Sequence, residues 1–256
     1  MDLNFDTARA ARYKSPAQIA RVLTESWVER EAFCPNCGNA PISSYPNNQP
    51  VGDFYCQQCK QDYELKSKAG NPGKKIVDGA YESMMARLSS DKVPNLFVLG
   101  YDKARNVVNN FLVVPGYFFI ASIIEKRKPL RSYARRAGFL GCNILFSEIP
   151  RAGHIYLVKA GSPTNKQQVL QSWQKTLFLK DTLKPQQRGW TLDVLRCVEQ
   201  LRKSEFTLDE VYLFADELGR KHPDNRHVKD KIRQQLQILR DAGYLEFLSR
   251  GRYKVV

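Results

Sequence analysis

Residues 34–66 read CPNCGNAPISSYPNNQPVGDFYCQQCKQDYELK and contain two Cys-x-x-Cys pairs, Cys34/Cys37 and Cys56/Cys59. Each pair forms a tight turn presenting two thiolates, and two pairs at this separation match a tetrahedral four-cysteine zinc site. Four sulfur ligands leave no position for water, so the Zn2+ expected here is structural and any chemistry comes from other residues. On either side of the second pair, residues 51–55 and 62–66 carry β-favouring aromatics and read as two strands joined by the knuckle. Side chains two apart on a strand share a face, so Glu64 and Lys66 project together and Asp53 on the neighbouring strand can meet them. Two carboxylates can hold a hard divalent cation with several waters. A lysine beside them can orient or deprotonate water next to a scissile phosphate.

The 256-residue chain carries 40 Lys and Arg against 26 Asp and Glu, a formal net charge of +14. That excess favours a polyanionic partner, nucleic acid or an anionic membrane surface. No apolar run reaches the length of a spanning helix, and the start, MDLNFDTARAARYK, lacks the basic-then-apolar plan of a signal peptide. No membrane association and a cytoplasmic location are therefore expected. Cys142 and Cys197 fall outside the paired spacing and read as small core residues in a reducing compartment. The length suits two domains, expected at 1–182 and 183–256, in a monomeric protein.

Residues 15–32 predict an amphipathic helix with Ser15 as N-cap and a proline in the first turn; its Glu25 and Glu29, one turn apart, read first as a solvated face and second as a further acidic group lent to the site. Residues 67–79 read as a loop whose Lys68, Lys74 and Lys75 stand beside the candidate site and suit phosphate contacts. A helix over 79–88, strands over 95–100, 109–114 and 155–159 and a helix ending near 178 complete an α/β core with a mixed sheet. Between the last two strands lies EKRKPLRSYARRAGFLGC, residues 125–142, with six basic residues interleaved with Tyr133 and Phe139. Arg135 and Arg136 suit phosphates there, and Phe139 suits an apolar wall against a base.

A linker over 180–189 leads to a distinct C-terminal unit. It predicts helices over 190–201, 207–218 and 225–241, the second opened by a Thr207/Glu210 capping box. Two strands, 244–248 and 253–256, follow and are joined by Ser-Arg-Gly-Arg. Three helices and a basic hairpin make a winged helix. In its third helix Val228, Ile232, Leu236 and Leu239 form the buried stripe, which turns Arg226, His227, Arg233, Gln234 and Gln237 outward. Arginine can read guanine and glutamine adenine, while Arg250 and Arg252 in the turn suit further DNA contacts.

Asp53-x10-Glu64-x-Lys66, in a hairpin followed by a helix, resembles the PD-(D/E)xK nuclease motif, with Pro50 three residues before Asp53 instead of adjacent to it. Together with CPNC, DFYCQQC, YELKSK, DGAY, ARRAG and HVKDKIRQQLQILRD, it makes the whole chain resemble the methyladenine-dependent type II restriction endonucleases of that class. The resemblance implies hydrolysis of double-stranded DNA at GATC sites containing 6-methyladenine. It also implies Asp53, Glu64 and Lys66 as catalytic residues, Mg2+ on Asp53 and Glu64, and structural Zn2+ on the four knuckle cysteines. The residues by themselves leave two other readings open, a non-enzymatic zinc and winged-helix DNA-binding regulator and a repair or structure-specific nuclease.

Overall fold

A computed structural model describes residues 1–46, 52–90, 92–181 and 183–256; the parts expected of Pro50 and Val51 lie outside them. In chain order the first elements are α1 (Pro16–Glu31), β1 (Ser43–Ser44), β2 (Phe54–Tyr55), β3 (Asp62–Ala69), β4 (Ile76–Ala80), α2 (Tyr81–Ser89), β5 (Asn95–Asp102) and β6 (Val107–Val114). There follow β7 (Ile124–Lys126), β8 (Gly141–Ile144), β9 (Ile155–Lys159), β10 (Ser162–Pro163), α3 (Lys166–Thr176) and α4 (Phe178–Asp181). By its contacts the chain divides into two compact units. One comprises Met1–Val77, Lys92–Gly116 and Ala152–Gln174; the other comprises Asp78–Asp91, Tyr117–Arg151 and Lys175–Val256.

The first unit is built on a mixed sheet in the order β1-β2-β3-β5-β6-β9-β10. Strands β3 and β5 run parallel, with Glu64 beside Leu96 and Lys66 beside Val98, and the remaining neighbours are antiparallel. A parallel pair needs a crossover. Here β4 and α2 supply it, so part of the stretch expected as loop is strand, and β3 itself continues through Lys68 to Ala69. The run NLFVLGY in β5 is buried throughout, as a central strand covered on both faces demands. Helix α1 begins at Pro16, where the missing N–H costs nothing, although the Ser15 side chain makes no capping bond. Its Trp27 is fully buried and meets Phe111 edge-on with centroids 5.2 Å apart. Phe111 packs on Phe97 at 4.9 Å, and Phe97 stacks on Tyr63 at 4.4 Å. This aromatic column ties the helix to β3, the strand carrying Glu64 and Lys66.

Strands β4, β8 and β7 form a three-stranded sheet. The C-terminal elements are α5 (Pro185–Leu201), β11 (Glu205–Thr207), α6 (Leu208–Tyr212), α7 (Ala215–Lys221), α8 (Val228–Asp241), β12 (Leu245–Ser249) and β13 (Arg252–Val255). The expected linker is largely the first turns of α5, because Pro185 sits at a helix start. The expected second helix is broken into α6 and α7. The Thr207/Glu210 capping box is present, with Thr207 N–H donating to Glu210 Oε2 at 2.7 Å and Glu210 N–H to Thr207 Oγ1 at 3.3 Å. A strand not expected from the sequence, β11, pairs with β13 to give the sheet order β11-β13-β12. Thr191 of α5 donates to the buried Gln235 of α8 at 2.7 Å. Arg196 of α5, buried, joins Glu217 of α7 to Glu148, so the helical bundle is pinned to a turn far upstream in sequence.

Candidate active site and nucleic-acid surface

The two knuckles are built alike. Gly38 N–H donates to Cys34 O at 2.8 Å and Cys34 N–H to Asn39 O at 2.8 Å; Lys60 N–H and Cys56 N–H make the same bonds to Cys56 O and Gln61 O, both at 2.9 Å. Closing such a turn requires a left-handed residue after the second cysteine, and Gly38 (φ +77°) and Lys60 (φ +58°) occupy that position. A Cβ at Gly38 would lie 3.0 Å from Lys166 Cε and 3.4 Å from Leu170 Cδ1, whereas Lys60 is exposed. The left-handed conformation costs an L-residue about 1–2 kcal/mol, and glycine returns part of that as unfolded-state entropy. Lys60→Gly is accordingly expected to stabilise the protein by about 0.5–1 kcal/mol, read as a higher urea midpoint at unchanged slope.

All four sulfur atoms lie within 4.8 Å of one another, with Cys34 Sγ 3.4 Å from Cys59 Sγ and Cys37 Sγ 3.5 Å from Cys56 Sγ. Sulfur atoms about 2.3 Å from a tetrahedral zinc are about 3.8 Å apart, so the cluster fits a structural Zn2+. Burial opposes ionisation of Cys59, but hydrogen bonds from the Asn36 side chain and the Gln61 backbone outweigh it and bring the thiol down to about 7. Tyr63, whose phenol is held protonated by burial and by the neighbouring Cys34, places its hydroxyl 3.1 Å from Cys34 Sγ. The knuckle is thereby connected to β3 and to the aromatic column.

Beyond Phe54, β2 stops while β3 continues. The edge of β3 opens here, and the Leu65 N–H is satisfied by Asp53 Oδ2 at 2.7 Å. Asp53 N–H in turn donates to Tyr63 O at 2.9 Å. Residue 52 must be glycine for this approach, since a Cβ there would meet Tyr63 O at 2.9 Å. On the same edge Lys66 Nζ donates to Glu64 Oε1 at 2.6 Å, which shows the shared face expected of alternate residues. Asp53, Glu64 and Lys66 line one cleft of about 870 Å³ between β3 and α1. The structure thus brings the three expected catalytic side chains together.

The far wall of the cleft matches the less favoured of the two readings of α1. Arg21, Glu25 and Glu29 of α1 line it together with Ser44 and Tyr45. Arg21 pairs with Glu25 at 2.7 Å and also feels the charge of Asp53, and both carboxylates keep its guanidinium firmly charged. Ser44 Oγ donates to Glu29 at 2.9 Å, and Tyr45 donates to Asp62 at 2.7 Å while its ring packs on Tyr55. Glu25 and Glu29 therefore face a polar cleft, where the sequence suggested a solvated face.

The other expected contact residues lie in the second unit. On α8, which starts at Val228 and not at residue 225 as expected, Ile232, Leu236 and Leu239 are buried and Val228 half-buried; Arg233, Gln234 and Gln237 on the helix and Arg226 and the N-cap His227 just before it are all exposed. Arg233 is not loose: its Nε donates to Tyr212 Oη, and Asp230 lies 3.6 Å from its Nη1. Gln234 accepts from Lys231 at 2.7 Å. Arg250 and Arg252 share a cavity of about 480 Å³ with Arg233, and Arg252 Nη2 lies 3.5 Å from Glu205. Arg135 and Arg136 are exposed on the segment joining β7 and β8. Phe139 is half-buried beneath the Arg136 guanidinium, whose central carbon stands 4.0 Å from the ring centre.

Among the described residues no helix is long and apolar enough to cross a membrane. Residues 1–182 match the family model DpnI, the Dam-replacing family, and residues 186–255 match DpnI_C, the Dam-replacing HTH domain. The two matches together span nearly the whole chain, and the chain belongs to the Dam-replacing (DpnI) family of restriction nucleases.

Proposed function

We propose that the protein is a type II restriction endonuclease that hydrolyses double-stranded DNA at GATC sites bearing 6-methyladenine, with residues 1–182 as the nuclease domain and 183–256 as the winged-helix reader. The observation that carries the reading is the convergence of Asp53, Glu64 and Lys66 in one open cleft of a chain from this family. Asp53 and Glu64 would hold Mg2+, which supplies Lewis acidity and a bound water of lowered pKa. Lys66, kept beside Glu64 by a 2.6 Å ion pair, stands ready to orient the attacking water or take its proton. Arg21 adds a positive charge on the opposite wall, suited to a phosphate oxygen.

Methyl dependence has an energetic requirement. Burying one methyl contributes about 0.8 kcal/mol, roughly a fourfold preference. Two methyls of a palindromic site, each buried once, combine to about 1.6 kcal/mol or roughly fifteenfold, and reading the modification in two separate binding events doubles this to about 3 kcal/mol or roughly two hundredfold. Strong discrimination thus favours one test by the segment around Phe139 and another by α8. The experiment is digestion of one plasmid prepared with and without adenine methylation, in Mg2+. Fragments matching GATC spacing from the methylated plasmid alone are expected. Equal digestion of both would reject methyl dependence, and the absence of any magnesium-dependent nicking would reject the nuclease reading in favour of a DNA-binding regulator.

A further inference from the structure

The segment between β7 and β8 is a projecting hairpin. Arg127 N–H donates to Gly141 O, Leu130 N–H to Phe139 O and Gly138 N–H to Leu130 O, each at 3.0 Å, which extends the β7/β8 pairing outward. At the tip, Ala134 N–H returns to Arg131 O and Ala137 N–H to Ala134 O, and Gly138 at φ +77° turns the chain back. No acidic residue occurs from 126 to 147, while Lys126, Arg127, Lys128, Arg131, Arg135 and Arg136 do.

Its two aromatic rings are placed differently. Phe139 is covered on one side by Arg136, and its Cε1 lies 3.4 Å from where a Cβ on Gly141 would stand, so it supports the arm and aims an arginine. Tyr133, at the tip, is 80 % exposed and accepts a hydrogen bond from Arg131 Nη1 at 3.3 Å. Leaving most of a tyrosine ring in water forgoes the burial that aromatic side chains ordinarily gain. A cationic arm with a bare aromatic at its end matches a duplex, because arginines hold phosphates and a ring can enter a groove or stack on a base. Reach is sufficient: the paired arm from Arg127 to Leu130 spans about 10 Å at strand rise, against groove depths of about 8 Å.

We propose that Tyr133 is the DNA-inserting wedge of this protein, entering the duplex at its target and packing its ring on a base while the surrounding arginines hold the flanking phosphates. The inference rests on the reading of double-stranded DNA as substrate and adds a specificity-determining residue to it. In its test the full chain binds a GATC duplex with 6-methyladenine in both strands and 2-aminopurine beside the site, without divalent metal so that no cleavage intervenes. Binding and fluorescence are read in parallel for the parent, Tyr133→Ala, Tyr133→Phe and Phe139→Ala. The parent and Tyr133→Phe are expected to raise the fluorescence, because a wedge unstacks the reporter. Tyr133→Ala is expected to bind roughly tenfold or more weakly and to give no rise even at saturation, with an unchanged melting temperature because the ring is exposed. Phe139→Ala should retain the rise once saturated. Parent-like affinity and fluorescence for Tyr133→Ala would overturn the wedge and leave DNA binding standing, whereas a parent that binds no duplex would remove the DNA reading and the wedge with it.

Discussion

Asp53→Asn is expected to lower magnesium-dependent cleavage by about three orders of magnitude or more and Lys66→Met by about two to four orders, each while leaving duplex affinity within a few-fold of the parent. The choice of asparagine follows from the geometry. Asp53 Oδ2 takes the Leu65 N–H that β2 leaves unpaired, so alanine would remove a structural acceptor together with a charge. An amide oxygen can still accept that bond, which confines the change to the carboxylate and its capacity for a hard cation. Losing a metal ligand removes several kcal/mol of transition-state stabilisation, and each 1.4 kcal/mol is about a factor of ten in rate. For Lys66 the contribution of a positioned proton-transfer group is about a hundredfold to ten-thousandfold, and methionine keeps the apolar stem. Binding should survive because most expected DNA contacts lie on α8, the wing turn and the β7/β8 arm. Single-turnover cleavage and gel-shift titration on one duplex separate the two quantities, and a variant that cuts at the parent rate would remove that residue from the catalytic assignment.

What the sequence revealed and what it concealed divide along the range of the forces involved. The zinc knuckles were readable because a Cys-x-x-Cys turn is closed by bonds within six residues, and Glu64 with Lys66 because a strand repeats every two. The role of Asp53 as acceptor for Leu65 was not readable, since it depends on where β2 stops. Glu25 and Glu29 look the same in sequence whether their helix stripe meets bulk water or a polar cleft, and the folded chain decides between the two. Pro185 and Gly189 suggested a linker, yet proline is well placed at a helix start and one interior glycine costs only about 1 kcal/mol against alanine, which the packing of α5 on α8 overrides. Strand β11 is three residues long and takes its conformation from pairing with β13, a partner more than forty residues away that no local propensity encodes. In the β7/β8 arm, composition marked both aromatics alike, and the cation stacked on Phe139 distinguishes the covered ring from the bare one.

Purified protein is expected to carry a single zinc ion, and Cys56→Ser is expected to lose it together with most of the stability margin and the activity. Apparent zinc-binding free energies of small four-ligand sites are about 10–16 kcal/mol, as large as the whole net stability of a typical domain. Three cysteines and a serine bind far more weakly, and the two knuckles would then be held together by little beyond their own turns. The loss is not confined to the hairpin tip. Cys34 touches the Tyr63 hydroxyl, Tyr63 stacks on Phe97, and residues 53 and 64 flank the second knuckle on either side. Releasing the metal therefore loosens β3 at the position where the cleft needs Asp53 and Glu64 in register. A loss of several kcal/mol lowers the melting temperature by about 10 °C or more for a chain of this size. Cys142→Ser serves as the comparison, because Cys142 lies outside the cluster and should leave zinc content at the parent value. Zinc content by elemental analysis, melting temperature and cleavage rate should fall together in Cys56→Ser. A metal-free preparation with unchanged melting temperature and activity would show that the four thiols are packing groups and that the hairpin holds its catalytic geometry without an ion.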